Sequence, residues 1–305
     1  MTTFGRMHPD ELPIDEALVR RMVAAEFPRW AGLPVEPVVP VGASHAMYRL
    51  GAELVVRIPR TPRMVEEIGR EARWLPRLAP HLPAPIPAPV AVGGPVDDCP
   101  WSWAVLRWLH GATPVVGELA RPDLLAQDLA AFVTALCGLD PTGAPASYRS
   151  ETLTDRDAHI RKAIGAVADV VDADAATAAW EEALKAPEHP GPPVWIHADL
   201  QPGNLLVSPQ GRLAAVIDFG CAGLGDPAVD LLPAWYVLPA AAREAFRAAV
   251  AADDATWARA RGWALSVALM EVSYYRDSNP RMTAIARHVI AEVLADQPSP
   301  PGSHA

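Results

Sequence analysis

The sequence predicts an α+β protein in two parts, a small strand-rich N-terminal part and a larger, mainly helical C-terminal part. Apolar runs between residues 35 and 60 are short and separated by turns, as in an antiparallel sheet. An amphipathic helix follows at 62–79, with apolar residues at helical spacing. From residue 122 onward helical periodicity dominates, and no internal repeat is detected. These observations favour two unlike domains.

Changes in composition divide the chain into four segments. The boundary between the two lobes lies at the exit of an apolar strand, WAVLRWL at 103–109. The proline-dense stretch before it, 80–100, is predicted to be an extended connection. The segments are 1–34, a helical brace with a helix at 14–27; 35–108, the N-terminal lobe; 109–295, the C-terminal lobe with helices at 122–139 and 154–186; and 296–305, a polar tail predicted to be disordered.

Charge and cysteine content limit the classes of partner. The net charge of −10 argues against nucleic acid or an anionic membrane as the main partner and is compatible with a cationic small molecule. Cys99, Cys137 and Cys221 lack the spacing of a metal site or a disulfide framework, so we expect buried thiols. The sequence shows no membrane-spanning run, no secretory signal and no sign of an obligate protein partner, which favours a cytoplasmic protein.

The most informative stretch is VWIHADLQPGNLLVSPQGRLAAVIDFG at 194–220. Its two apolar runs, at 194–196 and 213–217, are predicted to be neighbouring strands that each end in polar groups. Those groups are His197, Asp199 and Asn204 after the first run and Asp218 after the second. Carboxylates and an amide at strand ends suit a divalent metal ion and a proton acceptor. The alternative is a hairpin whose polar residues only cap turns.

A second group of candidates lies in the N-terminal lobe. Arg57 stands in the middle of an apolar strand, where its side chain either faces solvent or reaches an anion. Glu71 falls within the apolar stripe of the helix at 62–79, and a carboxylate directed at the interior needs a cation. Arg57 is the expected partner, and a surface pair with Arg70 or Arg73 is the alternative.

The segments HADLQPGN at 197–204 and IDFG at 217–220 resemble the kinase-like small-molecule phosphotransferases, a group that includes aminoglycoside and macrolide phosphotransferases. ELVVRIPR and REARWLPRL support the resemblance more weakly, and it covers roughly residues 35–295. It implies a protein-kinase-like two-lobe fold. The small lobe, an antiparallel sheet with a helix, would bind the nucleotide, and the mainly helical lobe would carry out catalysis and bind the acceptor.

For the transfer step, the resemblance implies a role for each polar residue of the central stretch. Asp199 would orient or deprotonate the acceptor hydroxyl. Asn204 and Asp218 would hold Mg²⁺ on the nucleotide phosphates, and oxygen ligands are those that Mg²⁺ prefers. His197 is expected to be a structural hydrogen-bonding residue rather than a proton shuttle.

For the nucleotide, the resemblance implies ATP, with GTP as the alternative. Arg57 would contact the α- and β-phosphates and pair with Glu71. The other implied cofactor-binding positions are Gly42 and Ser44 over the phosphates and backbone groups from Leu106 to Trp108 at the adenine ring. Taken alone, the turn at 42–45 is also explained as an ordinary hairpin loop.

The sequence departs from the family pattern at three points. Position 57 is arginine where lysine is expected; arginine keeps the charge and suits phosphate. Gln201 stands where protein kinases often have a lysine near the γ-phosphate, so charge stabilisation has to come from the metal or elsewhere. The phosphate-binding turn holds a single glycine, Gly42.

The chain beyond Asp218 predicts a small-molecule acceptor. Only seven residues separate Asp218 from Asp226, and none is Ser, Thr or Tyr, which leaves no room for an activation segment or a peptide-docking platform. Asp230 is assigned to structure because it precedes the apolar segment LLPAW and can cap a helix there. Candidate acceptor contacts are Asp226, Glu271, Tyr274, Tyr275 and Asp277; the alternative is a structural cap for Asp226, core packing for the tyrosines and a solvated face for the other acids.

The leading functional hypothesis is an ATP-dependent phosphotransferase acting on a hydroxyl of an aminoglycoside- or macrolide-like antibiotic. A metabolic kinase for choline-like or amino-alcohol substrates is one alternative. A non-catalytic nucleotide-binding module is another, suggested by Arg57 and Gln201. A metal-dependent hydrolase built on His197, Asp199 and Asp218 lacks the further histidines usual for such a site.

Overall fold

The computed structural model describes residues 11–39, 44–96 and 98–296, which form two compact units. The first unit runs to His110 and includes Ile217–Gly220, and the second comprises Gly111–Val216 and the chain from Cys221. Residues 217–220 therefore group with the first unit, whereas the sequence placed them in the C-terminal lobe. Contacts of Arg57 with Asp218 and of Arg70 with Gly220 account for this difference.

Among its described residues, the first unit consists of a five-stranded antiparallel sheet and two α-helices. The strand order in the sheet is β1-β2-β3-β5-β4. The strands are β1 (Val35–Pro37), β2 (His45–Leu50), β3 (Leu54–Pro59), β4 (Pro89–Gly93) and β5 (Trp103–Arg107), and the helices are α1 (Glu16–Glu26) and α2 (Val65–Leu78). The predicted helix at 14–27 begins two residues later because Asp15 caps it, accepting a hydrogen bond from the N–H of Leu18 at 2.8 Å.

Strand β3 is buried along its whole length and packs on both faces. Val56 and Ile58 lie in the core that α1 covers, while Val55, on the face that Arg57 shares, packs with Ile68 of α2. Arg57 is only 4% exposed, so the alternative in which its side chain faces solvent is wrong. A charge carried on this strand has to find partners inside the unit.

Strand β4 lies within the proline-dense stretch that was predicted to be an extended connection. It is one of the two edge strands of the sheet and pairs with β5. Pro89 is its first residue, a place where the missing N–H costs no inner ladder hydrogen bond. The high proline content is the reason why the sequence did not predict this strand.

Helices dominate the second unit. The predicted single helix at 154–186 is two helices, because the chain leaves helical geometry after Val167 and Asp172 caps a new start. Within the described residues the helices are α3 (Pro122–Cys137), α4 (Leu153–Ala166), α5 (Ala173–Leu184), α6 (Pro233–Tyr236), α7 (Ala240–Ala249), α8 (Asp254–Tyr275) and α9 (Pro280–Ala295).

Short strands frame the central stretch. Strand β6 (Val194–Ile196) pairs with β9 (Gly223–Gly225), and β7 (Leu205–Val207) pairs with β8 (Leu213–Val216). The two apolar runs at 194–196 and 213–217 were predicted to be neighbouring strands, and this is wrong: they belong to separate two-stranded sheets. Gly223 is required in β9 because a Cβ there would lie 2.6 Å from the backbone nitrogen of Ser147.

None of the helices in the described ranges is both long and apolar enough to cross a membrane.

Cys99 is buried and Cys137 and Cys221 are half-buried, and no disulfide joins them. Burial raises the pKa of Cys137 to about 12, so its reactive thiolate form is suppressed.

Candidate active site

Arg57 lies at the centre of an acidic group in the first unit, which we call the Arg57 cluster: Arg57, His45, Glu67, Glu71 and Asp218. The Nη2 atom of Arg57 is 2.8 Å from Oδ1 of Asp218 and 3.2 Å from Oε1 of Glu71. Its distance to Oε2 of Glu67 is 3.8 Å. The structure thus contains the expected Arg57–Glu71 pair, and the alternative of a surface pair for Glu71, which is 4% exposed, is wrong.

The cluster carries more negative than positive groups. Burial raises the pKa of Glu67 and of Glu71 to about 7 in each case, against the opposing attraction of Arg57. Burial alone lowers the pKa of Arg57, but the attraction of Glu71 and Asp218 outweighs it and the pKa is raised. Arg57 therefore stays charged, and the raised pKa values of the two glutamates limit the excess of negative charge near neutral pH.

Two further features of this cluster were not predicted from the sequence. His45, at the start of β2, is 3% exposed, and its Nε2 atom is 3.6 Å from Oε2 of Glu67. Burial, and next the nearby Arg57, lower the pKa of His45 well below its usual value, so the ring is neutral. Asp218 has φ of +63°, a left-handed backbone conformation that is unfavourable for a non-glycine residue.

Asp199, in the second unit, is held by three side chains, those of Asn204, Gln201 and Arg149. Its carboxylate accepts hydrogen bonds from Nδ2 of Asn204 at 2.8 Å and Nε2 of Gln201 at 3.0 Å. Nη1 of Arg149 lies 3.1 Å from Oδ1 of Asp199 and also donates to the carbonyl of Ala198. The Asp199 side chain still keeps 24% of its surface exposed, so it is fixed yet reachable by a ligand.

A buried acid, Glu271, is linked to Asp199 through the side chain of Gln201. Nε2 of Gln201 donates to Glu271 at 2.6 Å as well as to Asp199, and the hydroxyl of Tyr236 donates to Glu271 at 3.0 Å. Burial, and next repulsion from Asp199, raise the pKa of Glu271 to about 7. Gln201 is thus a structural bridge between two carboxylates, in a position where a lysine would carry charge.

The backbone of the central stretch is anchored by Asp230. Its two carboxylate oxygens accept from the N–H groups of His197 and Ala198, each at 2.7 Å. Ala198 has φ of +67°, so these bonds fix a strained turn directly before Asp199. The expected capping of the LLPAW segment by Asp230 is wrong, since the helix there has no side-chain cap. His197 is fully buried, and its Nδ1 accepts from the N–H of Asp199 at 3.2 Å.

The predicted acceptor contacts fall into two classes. Asp226 pairs with Arg259 at 2.7 Å and caps the turn at Ala228, and Glu271 is occupied as described above. Tyr274 is 59% exposed, Asp277 is exposed and Tyr275 is half-buried. The alternative of core tyrosines and solvated acids is therefore wrong for Tyr274 and Glu271, whereas Asp277 fits it.

The predicted nucleotide contacts of the first unit are partly occupied. The N–H of Arg107 donates to Ala88 and that of Trp108 to Glu53, so in the Leu106–Trp108 segment those two donors are not available to adenine. The Trp108 ring instead stacks on Arg49, whose guanidinium carbon is 4.0 Å from the ring centre. The carbonyl of Ser44 accepts from the N–H of Arg60, and Gly42 lies outside the described residues.

Arg149 and His45 had no signal that sequence reasoning could use. Arg149 lies in an irregular segment before α4, far from Asp199 along the chain. The lone histidine in the turn at 42–45 resembled any hairpin residue. Glu67 was visible as an acid near the edge of the α2 stripe, and only the fold shows that this edge faces Arg57 and Asp218.

Comparison with known proteins agrees with this arrangement. A family model described as the phosphotransferase enzyme family matches residues 37–263. The GDP and kanamycin complex of APH(2'')-IIIa is similar at 22% identity and a TM-score of 0.69, covering 92% of this chain and 100% of that one. No curated protein matches the chain in sequence.

Two further solved structures show the same likeness. The ADP-bound aminoglycoside phosphotransferase APH(2'')-Ib has 16% identity and a TM-score of 0.63, covering 92% of this chain and 97% of its own. The macrolide 2'-phosphotransferase MphH from Brachybacterium faecium, without ligand, has 22% identity and a TM-score of 0.60, covering 93% and 99%. At these identities the likeness establishes the kinase-like fold. Since the family model spans most of the sequence, the chain belongs to the phosphotransferase enzyme family.

Proposed function

We propose that this phosphotransferase moves the γ-phosphoryl group of ATP to a hydroxyl group of a small molecule. The observation that carries the proposal is the Asp199 carboxylate, which is fixed by Asn204, Gln201 and Arg149 and yet remains accessible. Phosphoryl transfer asks a protein mainly for positioning and charge stabilisation. A carboxylate held in this way can align an acceptor hydroxyl and accept its proton late in the reaction.

Arg57 is proposed to contact the nucleotide phosphates. Its Nε atom is buried and has no hydrogen-bond partner within the described part of the chain. A buried donor without an acceptor costs free energy, and a phosphate oxygen would satisfy it. Gln201 is neutral, and its amide already donates to Asp199 and Glu271. Of the two positions at which the sequence departs from the family's lysines, only Arg57 can therefore offset phosphate charge.

We propose that Asn204 and Asp218 each offer an oxygen ligand to magnesium. Asn204 donates through its Nδ2 atom to Asp199, which leaves Oδ1 as the ligand atom, and Asp218 supplies a carboxylate. Both are oxygen ligands of the kind that Mg²⁺ prefers. Bound magnesium would neutralise charge on the phosphates during transfer.

The acceptor is proposed to carry little positive charge. Two of the acids that were expected to attract a cationic acceptor, Asp226 and Glu271, are occupied by Arg259 and by Gln201 with Tyr236. The exposed ring of Tyr274 is better suited to an apolar or weakly charged surface. This favours a macrolide-like or amino-alcohol acceptor over a polycationic aminoglycoside.

A transfer assay tests the proposal. The purified protein with Mg-ATP is incubated with kanamycin, erythromycin or choline, and phosphorylated acceptor is detected by mass spectrometry. We expect phosphate transfer to at least one acceptor, with the less charged ones favoured. Mg-ATP binding without transfer to any acceptor would instead favour a nucleotide-binding module, and absence of Mg-ATP binding would refute the proposal.

A further inference from the structure

The Arg57 cluster contains a histidine that the proposed transfer chemistry does not use. His45 is buried, and neither of its ring nitrogens has a hydrogen-bond partner among the described residues. A buried imidazole without partners forfeits hydrogen bonds that it would make in water, which is unfavourable unless a ligand completes the site. The ring lies beside Glu67, with 3.6 Å between Nε2 and Oε2.

The side chains around His45 carry an excess of negative charge that a further cation would neutralise. Glu67, Glu71 and Asp218 bring three carboxylates to one guanidinium, that of Arg57. A single positive charge leaves a net negative charge whenever more than one of these acids is ionised. A divalent ion would remove the excess, with Arg57 retaining Glu71 as its partner at 3.2 Å.

We propose that His45, Glu67 and Asp218 form a binding site for a divalent transition-metal ion, of which Zn²⁺ is the representative. One ligand atom from each residue lies within 4.8 Å of the other two. Two ligands that are each about 2.1 Å from a tetrahedral ion lie about 3.4 Å apart. The three ligand atoms, which are at most 4.8 Å apart, therefore need to approach one another by no more than about 1.4 Å to take three of the four positions around the ion. Glu67 and Asp218 side chains are 17% and 38% exposed, which leaves a path for the ion.

The ligand set favours zinc over magnesium. Imidazole nitrogen binds Zn²⁺ and its neighbours in the transition series well, whereas Mg²⁺ strongly prefers oxygen ligands. The two ring nitrogens of His45 make no hydrogen bond within the described residues, so either is available to a metal. The site needs only residues of the first unit and no nucleotide, so it does not depend on the proposed function. It shares Asp218 with that function, so bound zinc is expected to weaken Mg-ATP binding.

The test is a calorimetric titration of the full-length chain with Zn²⁺ in the absence of nucleotide and acceptor. We expect one saturable site per chain, and much weaker binding of Mg²⁺ under the same conditions. Glu67→Gln and His45→Ala should each weaken Zn²⁺ binding by at least about 10-fold, the low end of the loss seen when a metal site is disturbed. Glu67→Gln keeps the shape of a partly exposed side chain, so we expect it to fold. If His45→Ala does not fold, the Zn²⁺ affinity of Glu67→Gln alone tests the proposal.

Two variants serve as matched controls. Glu66→Gln removes the neighbouring exposed acid of α2, and His81→Ala removes an exposed histidine of the same unit. Both should bind Zn²⁺ like the unaltered chain. The proposal is overturned if the unaltered chain binds no Zn²⁺, or if Glu67→Gln binds it as tightly as Glu66→Gln does. Because no ATP is present, neither result bears on phosphate transfer.

Discussion

Single residues in this protein hold charge in places where charge is costly. Arg57 is surrounded by acids in one unit, and Arg149 lies against Asp199 in the other. Removing one partner of a buried pair leaves the other uncompensated, which typically costs about 3–5 kcal/mol. Variants at these positions therefore need a readout that separates loss of folding from loss of function.

Arg149 is predicted to be a positioning residue for Asp199. Arg149→Ala should lower the rate of phosphate transfer per folded molecule about 100-fold, the effect of a small misplacement of a reacting group. Mg-ATP affinity should not change, and Arg149→Lys should restore part of the rate because it keeps the charge. The measurement is kcat on the acceptor found in the screen, with fluorescence titration of Mg-ATP.

The control for Arg149 is Arg161→Ala, which removes an exposed arginine of α4 that pairs with Asp157. It should transfer phosphate at the normal rate. If Arg149→Ala only lowers the melting temperature, and folded molecules retain full kcat, the positioning role is incorrect.

Glu271 is predicted to make stability depend on pH. Its pKa is about 7 in the folded chain and 4.5 for a free side chain, so the folded state binds the proton more tightly. The stabilisation is present below about pH 4.5 and is lost as pH rises through 7, by about 3 kcal/mol at about 1.4 kcal/mol per pH unit. Urea unfolding at pH 5 and pH 8 should show a smaller difference for Glu271→Gln than for the unaltered chain.

Glu244→Gln provides the comparison for this experiment, since Glu244 is an exposed acid of α7. Its unfolding free energy should follow that of the unaltered chain at both pH values. An equal pH dependence in Glu271→Gln and Glu244→Gln would show that Glu271 does not hold a proton in the folded state.

At the scale of elements, the segment from His197 to Asn204 is held at its N-terminal end through backbone hydrogen bonds. Asp230 binds two consecutive N–H groups directly after β6, and Ala198 adopts a strained conformation between them and Asp199. Strain of this kind persists only where surrounding contacts impose it. Asp230 imposes it here.

Asp230→Asn is predicted to destabilise this segment. The asparagine oxygen can accept from one N–H group, while its own N–H₂ group faces the other. Loss of one buried hydrogen bond, which leaves an N–H group facing another donor, should lower the free energy of unfolding by about 3 kcal/mol. Chemical unfolding measures this, with Asp174→Asn on the exposed side of α5 as the control. A loss no larger than in Asp174→Asn would contradict the anchoring role.

Strand β3 and helix α2 show how far periodicity predicts a site. The apolar stripe of α2 identified Glu71 as an interior acid, and the structure pairs it with Arg57 as expected. The same periodicity could not show that the side chain of Arg57 is buried, because alternation in a strand does not distinguish a face covered by a helix from one open to solvent.

At the scale of the whole molecule, the family and the kinase-like fold follow from the sequence because HADLQPGN and IDFG place polar groups at a recognisable spacing. The pairing of the short strands did not follow, since runs of three or four residues carry no register information. Arg149 and His45 could not be found either. Their roles depend on contacts with residues far away in the sequence, and no local pattern records those contacts.

The measurement that most directly tests the central claim compares phosphate transfer and Mg-ATP binding in Asp199→Asn. Asparagine keeps the size of the side chain but cannot accept the hydroxyl proton. Transfer to the acceptor found in the screen should fall about 1,000-fold, within the range for loss of a general base. Mg-ATP affinity should stay within about threefold, as expected for a group that acts on the acceptor. Retention of normal transfer by a folded Asp199→Asn protein would contradict the assignment of this site to phosphoryl transfer.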